Sequence, residues 1–222
     1  MAEPTPVNWR AADDYLADTL VGHDPALEAA LAAQQHAGMP AIEVAPVSGK
    51  LLNLLVRISG ARRVLEIGTL GGYSTIWMAN AVGDGGRVVT IEAEPANAAV
   101  ARASIDAAGV GDRVEILVGR AADVLPSLAD PGPFDLVFID ADKESNTLYL
   151  DWAARLGRAG TVVVLDNIGR DGDIVDPGSS DSKVRGTRAG LEMLGRDPRF
   201  DATALQTVGV KGWDGVAIAL VV

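Results

Sequence analysis

Apolar residues recur along the chain with two different spacings. Up to about residue 60 they follow helical spacing, which predicts amphipathic helices over 13–20, 25–37 and 46–58. Pro25 and Pro46 open the second and third of these helices, where a first helical position needs no amide hydrogen. Beyond residue 60, short and nearly continuous apolar runs alternate with helical segments. The chain therefore changes there from helices alone to repeated strand and helix units.

These repeated units predict an α/β fold built on a parallel sheet. Strands are predicted at 63–67, 87–92, 113–118, 134–140 and 161–166. Helices are predicted after a glycine-rich turn that follows the first strand, and then at 95–108, 121–128 and 144–156. Strands that are connected through helices run parallel and are covered on both faces.

The C-terminal segment has a different pattern. A helix predicted at 182–194 precedes two strands, 200–207 and 215–222, which the turn-rich VGVKGWDG joins. No helix fits between these strands, so they should pair as an antiparallel hairpin. Five parallel strands and a hairpin differ from the six parallel strands of a full dinucleotide-binding domain. The long connection 168–181 is rich in Gly, Asp and Ser and is predicted to be a mobile loop near the site.

Length and charge limit the possible functions. The 222 residues suffice for one core, so we predict a single domain over 1–222, with an N-terminal helical cap (1–60) and a sheet core (61–222). Thirty acidic and 19 basic residues give a formal charge of −11, which argues against nucleic acid and anionic membranes as partners. The chain contains no cysteine, so disulfides and thiolate metal sites are excluded. Without a signal peptide pattern or a membrane-spanning run, we predict a cytoplasmic protein.

The turn after the first strand has the composition of a ligand-binding turn. In parallel sheets ligands bind at the carboxyl ends of the strands, and here the first strand continues into EIGTLGGYS. Its glycines let the backbone approach a ligand closely, although the spacing is not G-x-G-x-x-G. Glu92 ends the next strand, where an acid can accept both ribose hydroxyls of NAD or of S-adenosylmethionine. Glu66 beside the turn favours S-adenosylmethionine, because its ammonium and sulfonium groups tolerate a carboxylate better than a pyrophosphate does.

Two further strands end in oxygen-bearing side chains. FIDADK places Asp140 at the end of one strand, and VVVLDN places Asp166 and Asn167 at the end of the next. Two carboxylates and an amide oxygen suit Mg²⁺, or another divalent cation such as Mn²⁺ or Ca²⁺. Lys143 follows Asp140 by about one helical turn and could accept a proton there. Taken singly, Asp140 could instead cap a helix, and Lys143 could be a solvated helix residue.

Four motifs, EIGTLGGYS, TIEAEP, FIDADK and LDN, resemble in order and spacing those of the cation-dependent O-methyltransferases, the family of the catechol and caffeoyl-CoA enzymes. The resemblance extends from about Val44 to the C-terminus. It implies a Rossmann-like class I methyltransferase fold, with a seven-stranded, mostly parallel sheet and a C-terminal antiparallel hairpin, and it implies a homodimer.

The same resemblance implies a role for individual residues. S-adenosylmethionine would be bound by Val44, Glu66, Gly68, Thr69, Ser74, Glu92, Ala121 and Asp140. A divalent metal would be held by Asp140, Asp166 and Asn167, with Lys143 as the catalytic base. The acceptor would be a hydroxyl of a small catechol-like or vicinal-diol aromatic. Two alternatives are an NAD-dependent oxidoreductase on a similar sheet and a non-catalytic S-adenosylmethionine-binding protein.

Several other residues have more ordinary interpretations. Trp77 and Met78 are predicted to lie in the core of a helical layer. Asp13 and its neighbour Asp14 are predicted to form a solvated helix face. Trp213 and Asp214 are predicted to lie in a loop that could reach an acceptor pocket.

Overall fold

The fold is a seven-stranded sheet with helices on both faces. The computed structural model describes residues 6–128 and 132–222. Its strand order is β3-β2-β1-β4-β5-β7-β6, with β1 to β5 parallel and β7 antiparallel to both β5 and β6. The strands are β1 (Arg63–Ile67), β2 (Arg87–Glu92), β3 (Val114–Val118), β4 (Leu136–Ile139), β5 (Val162–Asp166), β6 (Phe200–Gly209) and β7 (Gly212–Val221).

Eight α-helices surround the sheet within the described ranges. They are α1 (Pro6–Leu16), α2 (Pro25–His36), α3 (Pro46–Ser59), α4 (Tyr73–Ala81), α5 (Pro95–Ala107), α6 (Ala121–Val124), α7 (Asn146–Leu156) and α8 (Ser182–Arg196). Side chains of α2 to α5 pack on one face of the sheet, and those of α6 to α8 pack on the other. Neighbouring strand residues such as Val64 and Leu65 point to opposite faces, so each strand contributes to both cores. None of the described helices combines the length and the apolar character needed to cross a membrane.

The predicted fold class is confirmed, but several boundaries differ. The hairpin strands extend to Gly209 and Gly212, so only two residues form the turn instead of the whole VGVKGWDG segment. Paired ladder hydrogen bonds outweigh the poor strand preference of Gly and Asp here. The predicted helix over 121–128 continues beyond Val124 as a 3₁₀ turn, Leu125–Leu128. The connection 168–181 contains a 3₁₀ segment, Arg170–Val175, rather than irregular loop alone.

The N-terminal cap is attached to the turn of the hairpin. Asp13 is buried, and its carboxylate accepts a hydrogen bond from the Val210 backbone N–H at 3.0 Å. Lys211, the second turn residue, forms an ion pair of 2.7 Å with Glu43 and donates to the Ala41 carbonyl. The prediction of a solvated face was therefore wrong for Asp13. The helical pattern alone carries no information about a donor that lies 197 residues away in the chain.

Candidate functional site

A cavity of about 670 Å³ opens at the carboxyl ends of the parallel strands. Most of the predicted site residues line it, namely Val44, Gly68, Thr69, Ser74, Glu92, Ala121, Asp140, Lys143 and Asn167. Glu66 and Asp166 do not line it: Glu66 is fully buried behind its wall, and Asp166 is partly exposed at the end of β5. The structure thus brings the motifs of four strands to one place, as the parallel-sheet prediction requires.

Gly68 allows the ends of β1 and β4 to approach each other closely. Its φ is +102°, and a Cβ at this position would lie 2.2 Å from the Asp140 carbonyl oxygen. Any side chain would therefore push the glycine turn away from the Asp140 loop. Leu70, two residues later, also has a positive φ of 51°, which is uncommon for a branched side chain. The turn is held in an unusual conformation, so other contacts must fix it.

Glu92 supplies those contacts. One carboxylate oxygen accepts the backbone N–H groups of Leu70 (2.8 Å) and Thr69 (3.2 Å). The other accepts the Glu94 N–H at 3.0 Å and the Asn97 side-chain amide at 3.3 Å. The carboxylate thus fixes the glycine turn while one side of it faces the cavity. A carboxylate has about four acceptor sites, so fixing the turn and binding a ribose compete for the same oxygens.

Glu66 is completely buried and is hydrogen-bonded to hydroxyl groups only. Its carboxylate accepts from Ser74, Thr75 and Thr90, the last at 2.7 Å, and Thr69 bonds in turn to the Thr90 hydroxyl at 2.6 Å. Burial raises the pKa of Glu66 to about 7, although the three hydroxyl donors act in the opposite direction. Glu66 therefore fixes Ser74 at the start of α4 from behind and does not itself face the cavity.

The raised pKa of Glu66 predicts a pH-dependent stability. Between about pH 4.5 and 7 the folded state keeps a proton that the unfolded state loses, so this group makes the free energy of unfolding fall as pH rises through that window. Glu66→Gln should remove this fall in the free energy of unfolding, which is on the order of 2 kcal/mol. Chemical denaturation at pH 5 and pH 8 measures the difference. The exposed Glu115→Gln is the matched control, and equal pH dependence in wild type and Glu66→Gln would contradict the assignment.

Asp140 and Asp166 end neighbouring strands at the same level. β4 and β5 pair with Ile139 opposite Leu165, so the next residues, Asp140 and Asp166, leave the sheet side by side. Burial raises the pKa of Asp166 above its ordinary value, and the negative charge of Asp140 raises it further. Two carboxylates are therefore held close enough to repel each other.

Lys143 lies beside this pair and forms an ion pair with Asp140. Its Nζ lies 2.8 Å from Asp140 Oδ1, and its side chain is 8% exposed. The interpretation of Lys143 as a solvated helix residue was therefore wrong. The capping role considered for Asp140 is wrong too, because the following 3₁₀ turn is preceded by Asp142 and no side chain caps it. Asp140 instead fixes the position of the Lys143 ammonium group.

Asn167 has a backbone φ of +57°, and its side chain is oriented by a residue of the hairpin. Its Nδ2 donates to Asp214 Oδ2 at 3.0 Å, which leaves the amide oxygen without a donor among the described residues. Asp214 also accepts the backbone N–H groups of Gly169 (2.8 Å) and Arg170 (3.3 Å). Asp214 lies in β7 rather than in the predicted loop, and it fixes the chain that follows β5.

Several residues at the cavity were not predicted as site residues. These residues include Gln34, Ile42, Tyr149 and Arg170, which come from four separate parts of the chain. Tyr149 on α7 donates to Asp142 and so fixes the loop that carries Lys143. No local motif marks these residues, because they reach the cavity only through the packing of helices and loops. No cluster of three or more His, Cys, Asp or Glu side chains able to hold a metal occurs in 6–128 and 132–222.

Comparison with known proteins identifies the family. The family model for O-methyltransferases matches residues 20–220. The chain is 57% identical over 209 residues to a catechol O-methyltransferase of Mycobacterium tuberculosis, covering 94% of both chains. It is 49% identical over 215 residues to a catechol O-methyltransferase of Niastella koreensis, covering 96% of this chain and 97% of the relative.

Solved structures agree with this assignment. An O-methyltransferase from Bacillus cereus in complex with SAH superposes with a TM-score of 0.96 at 48% identity, covering 98% of this chain and all of that one. A second match is an O-methyltransferase from Streptomyces achromogenes involved in tomaymycin synthesis, in complex with SAM. It superposes with a TM-score of 0.94 at 45% identity, covering all of this chain and 99% of that one. The chain belongs to the O-methyltransferase family.

Proposed function

We propose that the protein transfers the methyl group of S-adenosylmethionine to one hydroxyl of a small catechol-like or vicinal-diol aromatic, with the help of a divalent cation. The main support is that the glycine turn, Asp140, Asn167 and the buried Lys143 line one cavity, and that Asp166 ends the strand next to that of Asp140. The names of the two catechol O-methyltransferase relatives support the acceptor class. The relatives bound to SAH and SAM support the donor.

The donor would lie along the β1 and β2 ends of the cavity. The N-terminus of α4 directs unpaired backbone N–H groups and a partial positive charge to this place, which favours the methionine carboxylate. Thr69 and Ser74 offer further polar contacts, and Glu92 would accept the ribose hydroxyls. Val44 and Ala121 would contribute apolar contact on either side. Glu66 would act indirectly, by holding the Ser74 hydroxyl in place.

The residues Asp140, Asp166 and Asn167 fit a hard divalent cation. Their donors are two carboxylates and one amide oxygen, the ligand types that Mg²⁺ prefers, and Mn²⁺ or Ca²⁺ can use them as well. Asp140 raises the pKa of the buried Asp166 carboxyl despite the nearby Lys143, and the Asn167 oxygen lacks a donor within the described part of the chain. When bound, the cation supplies electrostatic stabilisation of negative charge on the acceptor oxygens.

Lys143 would take the proton of the attacking hydroxyl as a neutral amine, after its ammonium group has released a proton to solvent. Its ion pair with Asp140 holds Nζ at the cavity wall, beside the proposed cation ligands. The side chain is buried up to the cavity wall, so the amine would exchange a proton with an acceptor bound in the cavity. The protein's further contribution is alignment, because methyl transfer requires the hydroxyl oxygen, the methyl carbon and the sulfur in line.

An assay of methyl transfer tests the proposal. With S-adenosylmethionine, Mg²⁺ and catechol, the purified protein should yield the monomethyl ether and SAH. Treatment with EDTA should abolish turnover, and added Mg²⁺ or Mn²⁺ should restore it. Turnover that survives complete chelation would contradict the role of the cation. Binding of NAD instead of SAH would support the oxidoreductase alternative, and binding of SAH without turnover of any acceptor would support the non-catalytic one.

Three further properties belong to the proposal. We propose one domain over residues 1–222, a homodimer and a cytoplasmic location. The edge strand β6 is exposed over most of its length and carries Leu205 and Val208, which supports association through this edge. Light scattering coupled to size-exclusion chromatography should give twice the chain mass of 23.0 kDa.

A further inference from the structure

Arg170 carries a positive charge at the cavity that no side chain of the described residues neutralises. It lines the cavity next to Asn167, and its Nε is buried without a hydrogen-bond partner. None of the ion pairs within 6–128 and 132–222 includes it, although two acids, Asp171 and Asp173, follow closely in sequence. A partly buried guanidinium without a counter-charge is unfavourable, so a ligand that supplies one would bind well.

The backbone of Arg170 is fixed rather than free to move. Its φ is +50°, in the left-handed region, and its N–H donates to Asp214 Oδ1 at 3.3 Å. Gly169 packs so tightly against β7 that a Cβ there would lie 2.4 Å from the Asp214 carbonyl carbon. The side chain therefore starts from a defined point beside the proposed cation ligands, which favours a binding role over a solvated one.

The position of Arg170 assigns it to the acceptor rather than to the donor. Arg170 follows β5, as Asn167 does, whereas the glycine turn follows β1, and β4 lies between these two strands. In the proposed function, the methionine carboxylate would be bound at the N-terminus of α4 on the β1 side. Lys183 also lines the cavity, but its side chain is exposed and its charge acts on Glu144. Arg170 is thus the better candidate for an anion on the acceptor.

We propose that Arg170 binds an anionic substituent of the acceptor, so that the preferred substrates are acidic aromatic diols, such as those with a carboxylate on the ring or on a short side chain. This inference rests on the proposed methyl transfer and names the substrate class of the same site. A guanidinium can pair with a carboxylate through two parallel hydrogen bonds. This pairing would orient the aromatic ring of the acceptor and increase its affinity. The anion would hold one end of the acceptor while the diol is oriented at the other.

A matched pair of acceptors tests the proposal. Wild type should show a lower KM for 3,4-dihydroxybenzoate than for the neutral 3,4-dihydroxybenzamide. Arg170→Met should raise the KM for the benzoate by about 10- to 100-fold and leave that for the benzamide nearly unchanged. The KM of Arg170→Lys for the benzoate should lie between those of wild type and Arg170→Met, because lysine keeps the charge but loses the bidentate geometry. Arg185→Met removes the same charge from an exposed residue of α8 and should change neither KM.

Three results would overturn the inference. An equal rise of both KM values in Arg170→Met would indicate a structural role of this segment. Unchanged KM values would indicate that the acceptor does not reach Arg170, and a weaker calorimetric Kd for SAH would assign Arg170 to the donor. If wild type methylates neither compound, the proposed function fails by itself. In that case the role of Arg170 is judged from binding alone. The Kd of each compound is measured for wild type and for Arg170→Met, both saturated with SAH and Mg²⁺.

Discussion

Lys143→Met is expected to lower kcat by about 10²- to 10⁴-fold and to leave the binding of SAH nearly unchanged. Methionine keeps the length and the buried contacts of the lysine stem but removes the amine that lies 2.8 Å from Asp140. The donor contacts proposed for the glycine turn and Glu92 do not involve Nζ. Initial rates with catechol give kcat, and calorimetry gives the Kd of SAH.

Lys143→Arg separates the role of a base from that of an ion-pair partner. Arginine can keep the pairing with Asp140, but it does not release its proton in proteins. If Lys143 is the base, Lys143→Arg should be nearly as inactive as Lys143→Met. Recovery of activity in Lys143→Arg would show that only the positive charge matters. Lys50→Met, at a lysine that packs over Trp77 outside the cavity, controls for the loss of one charge.

Asp166→Asn should abolish the cation-dependent activity and at the same time stabilise the cation-free protein. The carboxylate of Asp166 is unfavourably buried next to Asp140, which is why its pKa is raised. An amide of the same shape removes this repulsion and can still accept the Asn167 N–H. We therefore expect Asp166→Asn to have a higher Tm than wild type without cation at pH 8. Each kcal/mol gained in the free energy of unfolding should raise the Tm by about 2–4 °C.

The same variant should bind the cation more than about 100-fold more weakly. Loss of a direct metal ligand should lower the affinity at least as much as loss of a residue that only orients a ligand. Thermal melting with and without Mg²⁺ measures both effects in one experiment. Wild type should gain stability from Mg²⁺, and Asp166→Asn should gain none. A cation-dependent shift of equal size in both proteins would contradict the ligand role. The exposed Asp201→Asn on β6 is the charge-matched control.

The sequence was sufficient for the sheet and for the residues that follow its strands. Strands such as 63–67 and 162–166 are apolar because both faces are covered, so their limits appear directly in the sequence. The carboxyl ends of parallel strands converge at one edge of a sheet. The pattern of strands alone therefore predicts that Asp140, Asp166 and the glycine turn lie together, and the strand pairing agrees with this.

What the sequence did not predict depends on contacts between distant segments. Asp214 and Asp13 are single acids in polar surroundings, and nothing near them in sequence indicates their backbone partners. Glu66 adjoins the glycine turn, which suggests a direct contact with the ligand. The alternation of strand side chains instead directs it into the layer behind, where hydroxyl groups surround it. Arg170 has no local signal either, since its importance lies in the lack of a counter-charge among the described parts of the folded chain.

The attachment of Asp13 to the hairpin turn has a consequence for the order of folding. Asp13 of the cap and its partner Val210 are 197 residues apart in sequence, so the hairpin turn is synthesised long after the cap. Contacts of such long sequence separation form late, because their loop-closure entropy must first be offset by other structure. During synthesis α2 and α3 can pack against α4 and α5 first, whereas the contacts of Asp13 and Glu43 form only after the hairpin has been made. Lys211 contacts Ala41 and Glu43, which flank Ile42 at the cavity, so this part of the cavity wall reaches its final position only once the hairpin turn is present.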